Sequence, residues 1–569
     1  MADVVSRIYN NFRGVDFRSA ECSLNRSPDS LNMWKDYRGA SGISTRPEEK
    51  QIVWLLRDPV YNMSFYDGKL MYQHSQMISR YDPSTGVIED IGDVNYTEGQ
   101  SFVYTDENGR SIWYFKQEGG YKQFDHLGGF KDVIGYVPTT SIGRTPSGSG
   151  KTYQDVNMLT LRRKNTFVSD SKSKEYFLDS KDLPGSTVFV TVNDIEVTNF
   201  TVDFKEGKVV FTEPPVSIFT DGRDNVTIEF SAGTDQSEKI LKCSMVEVFD
   251  NRVFFSGNPD YPNMIWHSSL DDPTYVSDLD YYQEGRDEAP VRGMVAGNNA
   301  LLVFREPSDE QTTVFYHIPT IDDQYGKIYP STHSSISTGC VGKAINFNDD
   351  IVFFSERGME GISGDITTEQ VLGHRSSLVD RKLTAEPNYK LMELIEWEGY
   401  LLVFTGENVY LADSRSKFMN GDHYEYEWFY WEFPDLTQVI SAVVHDGVLY
   451  MGTAYGGIFT LSLKDPENDM WNHKSYWVTP KDKFNYPHKQ KTTNKRGCVV
   501  EATGDVKVYA KKEDTDFELI GEYKGVTDYF VSRIKRKKLK DMQLKFESNT
   551  KFSLESVTME AFIGGYIKG

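Results

Sequence analysis

A polar turn rich in Asn, Asp and Gly, followed by a short run of Val, Leu, Ile, Phe or Tyr, recurs along this chain. It reads Asp67-Gly68-Lys69-Leu70-Met71-Tyr72, Asn108-Gly109-Arg110-Ser111-Ile112-Trp113 and Asp250-Asn251-Arg252-Val253-Phe254-Phe255. It returns at Asn298-Asn299-Ala300-Leu301-Leu302, Asn348-Asp349-Asp350-Ile351-Val352, Glu398-Gly399-Tyr400-Leu401-Leu402 and Asp446-Gly447-Val448-Leu449-Tyr450. Asn, Asp and Gly tolerate the backbone angles of a tight hairpin, and the apolar runs are too short for helices, so each phrase predicts a turn entering a buried strand. From Asn251 onward the phrases recur about every 50 residues, room for four short strands and their loops, which is one blade of a β-propeller.

The seven phrases predict an all-β protein with a propeller of about seven blades. One interval, between Gly109 and Asn251, is too long by roughly 80 to 90 residues for that period and predicts an insertion. Within it, Val188 to Asn193, Phe200 to Asp203, Lys208 to Phe211 and Asn225 to Phe230 alternate apolar with polar residues, as the strands of a small β-sandwich do. After Asp465-Pro466 the period stops, and Val499 to Ala502, Val506 to Tyr509, Gln543 to Phe546 and Phe552 to Glu555 predict a terminal β-sandwich. The expected domains are an extended N-terminal arm over 1–50, propeller over 51–145, inserted sandwich over 146–233, propeller again over 234–465, and a C-terminal β domain over 466–569.

Composition agrees with this layout. At 569 residues the chain exceeds one hydrophobic core, and an aromatic fraction of 14% suits strands. The formal net charge of −22 argues against general binding to phosphate backbones, though it suits a surface past which nucleic acid must slide. Cys22, Cys243, Cys340 and Cys498 have no short-spaced pair, which predicts isolated thiols rather than a zinc or redox site. No apolar run approaches the roughly 18 residues of a spanning helix, and Met1 to Arg18 lacks the apolar core of a signal peptide, so a soluble protein outside the Sec route is expected.

Four stretches invite a chemical reading. Thr145-Pro146-Ser147-Gly148-Ser149-Gly150-Lys151-Thr152 ends like a phosphate-binding loop, but Thr145 stands where that loop needs Gly, so a flexible hinge is expected. The acid-rich Asp271 to Glu288 lacks the ligand spacing of a calcium loop, with Tyr282 in the way, and reads as a solvated loop. Tyr424-Glu425-Tyr426-Glu427-Trp428-Phe429-Tyr430-Trp431 could be an aromatic and carboxylate glycan platform, yet the same alternation describes a half-buried strand, which is the preferred reading. The basic run Arg533-Ile534-Lys535-Arg536-Lys537-Lys538-Leu539-Lys540 faces solvent, pairs with a neighbouring subunit, or binds nucleic acid. No nucleophile or metal motif is present, and the chain is not expected to be an enzyme or to carry a cofactor.

The N-terminal stretch carries a resemblance. Asn11-Phe12-Arg13-Gly14-Val15-Asp16-Phe17, then Ser23-Leu24-Asn25-Arg26-Ser27-Pro28-Asp29-Ser30-Leu31-Asn32-Met33-Trp34, then Gly42-Ile43-Ser44-Thr45-Arg46-Pro47, resemble the start of phage packaged-DNA stabilisation or tail nozzle proteins, with Glu48 where that family usually has Gly. The blade around Phe255-Ser256-Gly257-Asn258-Pro259-Asp260 is similar to them as well. The resemblance implies a virion protein, made in the host cytoplasm, that forms a homo-oligomeric ring of six copies below portal and adaptor. Double-stranded DNA would pass through it without sequence-specific contacts. It further implies that Arg13, Asp16, Phe17, Asn25, Asn32 and Arg46 contact neighbouring subunits or the adaptor, and Arg536, Lys537 and Lys538 of the basic run are candidates for the same contact. The alternative is a receptor- or glycan-binding or glycan-processing propeller of a phage tail or cell surface.

Overall fold

The computed structural model describes residues 3–567 except 40–41, 55–57, 107–108, 186, 298, 310–311, 324–325, 364–370, 435, 437, 465–470 and 535–536. Among the described residues, helix is confined to Glu238–Leu241, Asp380–Leu383 and the 3-10 turn Tyr389–Leu391, and the regular structure is otherwise β. The chain forms two compact units, one of Met1–Ser75, Tyr81–Ile88 and Thr338–Gly569, the other of Gln76–Arg80 and Glu89–Ser337.

The recurring phrases fall on the turn between the first two strands of each repeat. Asp67 and Gly68 have φ of 49° and 70°, Asp250 and Asn251 52° and 55°, Asn348 and Asp349 51° and 64°, Glu398 and Gly399 52° and 76°, Asp446 and Gly447 50° and 76°. Two successive left-handed residues make a turn whose twist matches that of the flanking strands. Asn108 and Asn298 lie outside the described residues, while Gly109 and Asn299 beside them also have positive φ. The strand after the turn is buried throughout at Ala300–Arg305, Asp350–Ser355 and Tyr400–Phe404.

In the first unit these turns belong to four-stranded antiparallel runs. One is Ala344–Phe347, Asp350–Ser355, Gly358–Ser363 and Val371–His374; another is Glu393–Trp397, Tyr400–Phe404, Asn408–Asn420 and His423–Glu432. A third is completed from far away in sequence: Val439–His445, Val448–Thr453 and Gly457–Leu461 take Lys50–Trp54 as their fourth strand, with Ile458 opposite Val53. The second unit holds three such sheets, over 99–132, 245–283 and 291–333.

The long interval contains two sheets, one with Thr139–Arg144, Arg162–Phe167, Phe189–Val192 and Val226–Ser231, the other with Glu175–Phe177, Phe200–Asp203 and Lys208–Phe211. Phe167, Tyr176, Val190, Val209, Phe211 and Ile228 from both sheets fill one core. The Ser/Gly run is not the expected flexible hinge. Thr145 donates its amide to Ser149 (2.9 Å) and Gly148 to Thr145 (2.9 Å), closing a hairpin turn in which Lys151–Thr152 pairs back onto Thr139–Arg144.

The end of the chain is organised around one long strand, Lys489–Lys512, with Met542–Ser548 and Phe552–Tyr566 on one side and Glu518–Val526, Tyr529–Ser532 and Lys537–Leu539 on the other. The N-terminal stretch does not hang off as an arm. Val4–Tyr9 pairs with Phe552–Tyr566, Ser30–Leu31 with Ser475–Val478, Met33–Trp34 with Ile43–Thr45, and Ile43–Thr45 with Phe552–Tyr566. Its apolar residues, Tyr9, Phe12, Met33, Trp34 and Ile43, leave water in the same core as Val500, Phe546 and Val557, which is why it stays folded onto the chain.

Candidate functional site

The strand His423–Glu432 and the N-terminal stretch, the two segments with the strongest sequence signals, meet in the first unit. Gly14–Val15 runs parallel to Arg26–Ser27, and the Asp16 and Phe17 amides donate to Ser27 (2.8 Å) and Leu378 (2.9 Å). Gly14 has φ 128°, and a Cβ there would overlap the Trp428 carbonyl, so only glycine lets this backbone approach the strand.

Charge is neutralised at close range. Arg26 donates two parallel hydrogen bonds to Glu427, Nε to Oε2 and Nη2 to Oε1, both 2.7 Å, and lies 4.3 Å over the Phe418 ring. Arg13, half-exposed, stands 3.6 Å from the same carboxylate. Glu425 accepts from the Ser377 amide (2.9 Å), the Ser377 hydroxyl (2.5 Å) and the Asn420 amide. Both carboxylates are buried, at 2% and 0% exposure. Hydrogen-bonded within the chain and shut away from water, neither can reach a glycan; the stretch is a strand, though buried on both faces rather than the half-buried one expected.

A second knot lies beside the first. Arg46, fully buried, donates through Nε to Asn32 Oδ1 (3.1 Å), through Nη1 to Glu49 (2.6 Å) and the Pro47 carbonyl (2.9 Å), and through Nη2 to the Glu432 carbonyl (2.7 Å). Its guanidinium stacks 3.9 Å from the Phe433 centroid and 4.7 Å from that of Trp471. Asn32, at φ 56°, also accepts from the Glu432 amide (2.9 Å) and donates to Lys474 (2.8 Å).

Of the nine residues expected to touch other chains, Asp16, Asn32 and Arg46 are therefore buried in their own. Asp16 holds Arg18 by two 2.9 Å bonds. Phe17 packs edge-on against Tyr430, with the Lys382 ammonium 3.3 Å from the Tyr430 centroid and 5.1 Å from that of Phe17. Asn25 is half-buried and its carbonyl accepts from the Arg13 amide (2.7 Å). Lys538 is exposed, the Lys537 side chain is not described, and Arg536 lies outside the described residues.

The acidic loop differs from its expected solvated state. Glu284 is fully buried, 2.9 Å from His317 and hydrogen-bonded by Ser331 (2.6 Å). Burial raises the Asp280 carboxyl to about 6. Sequence spacing gave no sign of Lys116 either. Its buried ammonium donates to the carbonyls of Gln117 (2.6 Å), Leu241 (2.7 Å) and Cys243 (2.5 Å), and burial lowers it to about 8.

Cys243, Cys340 and Cys498 are buried free thiols, and Cys22 is half-buried. Among the described residues no group of three or more His, Cys, Asp or Glu side chains could hold a metal ion, and no helix is long and apolar enough to cross a membrane. One cleft of about 460 Å³ is lined by Trp34, Asp36, Arg38, Ser44, Lys551 and Phe552 among others.

These features define an all-β protein whose four-stranded antiparallel repeats are of the kind that propellers stack as blades. No family model and no curated protein matches the chain. Solved structures similar to it include virginiamycin B lyase from Staphylococcus aureus, at 10% identity and a TM-score of 0.39 over 73% of this chain and 98% of that one. BamB from Moraxella catarrhalis is similar at 11% identity and a TM-score of 0.35, covering 73% and 98%. The Dos1 propeller is similar at 8% identity and a TM-score of 0.34, covering 74% and 95%. Likenesses this distant say nothing of what the chain does.

Proposed function

We propose that the chain is a non-catalytic structural protein of a phage tail, a ring-forming nozzle that continues the DNA channel below portal and adaptor and helps retain packaged DNA until ejection. In this reading the repeats at 60–93, 99–132, 245–283, 291–333, 344–374, 393–432 and 439–461 are seven blades, with Lys50–Trp54 closing the last, and the two sheets of the insert are a sandwich. The observation that supports it best is the sealing of Glu425 and Glu427. The stretch that resembles the nozzle family is locked onto the strand that carries them, so the glycan-like signature has a structural use.

The mechanism is steric and electrostatic. A ring of identical copies needs two different patches on each, joined head to tail. With 84 acidic against 62 basic residues, the surface lining the opening repels the duplex and lets it slide.

The competing reading, a glycan-binding or glycan-processing propeller, has the 460 Å³ cleft in its favour. Trp34 and Phe552 in that cleft are 2% and 3% exposed and offer a sugar ring almost no face to stack on. Adding the purified chain to DNA-filled particles that lack it tests the proposal. The expected result is that DNA leakage falls. Unchanged leakage, together with glycan hydrolysis by the purified chain, would overturn it.

A further inference from the structure

The fully buried lysines of this chain donate to carbonyls, Lys116 to those of Gln117, Leu241 and Cys243, and Lys491 to those of Tyr486 and Lys540. Lys382 is placed differently. It lies on the short helix Asp380–Leu383, is half-buried, and its Nζ makes no hydrogen bond or ion pair among the described residues. Ring faces stand where acceptors would, with Nζ 3.3 Å from the Tyr430 centroid and 5.1 Å from that of Phe17. An ammonium carries three donors, and an aromatic face replaces only part of the hydration that they give up.

Three carboxylates act on this amine without reaching it. Glu386, downstream of the helix, accepts from Asn408 Nδ2 (3.1 and 3.0 Å) and the Tyr410 hydroxyl (2.6 Å). Asp29, in the N-terminal stretch, accepts from the Tyr476 hydroxyl (2.9 Å). Glu432 ends the strand that carries Tyr430. Burial lowers the Lys382 ammonium from its usual value, and the pull of Glu386, Glu432 and Asp29 does not restore it. A primary amine attacks only when neutral, so a lysine stripped of water, unfixed by an acceptor and still half-open to solvent is activated as a nucleophile.

We propose that Lys382 is an acylation site, modified by small acyl phosphates, and that the modification loosens the N-terminal stretch at Phe17. The ammonium first gives a proton to water. Nζ then attacks the acyl carbon, an amide bond forms, and the bond from that carbon to the phosphate oxygen breaks. Phosphate leaves with the electron pair, and the proton displaced from nitrogen passes to water. The product amide is neutral, so its attraction to both ring faces is lost. Its acyl group also needs room where Phe17 meets Tyr430 edge-on. The Phe17 amide, which donates to Leu378 (2.9 Å), holds the stretch at this point and reports its release.

Incubating the full-length chain with acetyl phosphate at neutral pH, followed by mass spectrometry of its peptides, tests the site. Lys390, exposed in the 3-10 turn that follows, is the internal reference. Lys382 should acetylate several-fold faster than Lys390. Hydrogen exchange then tests the consequence: the Phe17 amide should exchange several-fold faster in the acetylated chain, and Lys382→Arg given the same treatment should keep the unmodified rate. Acetylation of Lys382 no faster than that of Lys390 would overturn the site. Unchanged exchange at Phe17 in the acetylated chain, or equal speeding in treated Lys382→Arg, would overturn the release.

Discussion

At the scale of single residues, two buried knots hold the N-terminal stretch. Glu427 is fully buried and its charge is met by Arg26 through two short bonds. Arg26→Ala leaves that buried carboxylate facing only the half-exposed Arg13 at 3.6 Å, and urea unfolding should show a loss of about 3 kcal/mol. Pairing Arg26→Met with Glu427→Leu should recover most of it, because removing both charges removes the desolvation penalty too. Gly14→Ala should destabilise by about 3 kcal/mol or more in the same assay, since the left-handed backbone and the Trp428 carbonyl both exclude a methyl group.

His374 makes stability depend on pH. Burial lowers its pKa, but hydrogen bonds to Asp380 and Glu360 outweigh burial and raise it to about 10. Its Nε2 lies 2.6 Å from Asp380, its Nδ1 lies 3.3 Å from Glu360, and Arg357 stands 3.9 Å from the same Glu360 oxygen. A folded-state pKa above the unfolded value of about 6.5 means that protonation favours the fold. That stabilisation is complete below about pH 6.5 and is lost as pH rises through about 10. Thermal unfolding from pH 7 to 10 should therefore fall more steeply in wild type than in His374→Gln.

Among the elements, the hairpin turns were legible in the sequence and the long-range partners were not. Asp446-Gly447 announces its turn because backbone preference is local chemistry. Arg26 and Glu427 are 401 residues apart, and no short-range pattern can join them. The Ser/Gly run beside Lys151 misled because flexible composition says nothing about the hairpin that the neighbouring strands impose. The acidic loop misled because Glu284 finds His317 only once two sheets have formed. Among the turns, Glu398 has φ 52° without the Asn or Asp side chain that tolerates it well. Glu398→Asn should stabilise by about 0.5 kcal/mol, read as a raised unfolding midpoint in urea. At the sheet completed by Lys50–Trp54, Val53→Pro removes a ladder donor opposite Ile458 and a buried side chain, and should cost about 3 kcal/mol or more in that assay.

For the whole molecule, the chain combines repeated four-stranded sheets, an inserted two-sheet module and a terminal sheet that gathers both chain ends. The four-stranded antiparallel repeats were legible because their period is written in turns. The folding-back of the N-terminal stretch was not, because its strands are only two or three residues long and take their register from distant partners. Asn32 and Arg46 are engaged inside the chain, so the proposed ring would have to use other surfaces. Imaging the purified full-length chain in vitrified solution tests the central claim most directly. The account predicts closed rings of identical copies around an open centre; a field of single particles, each a lone monomer, would contradict it.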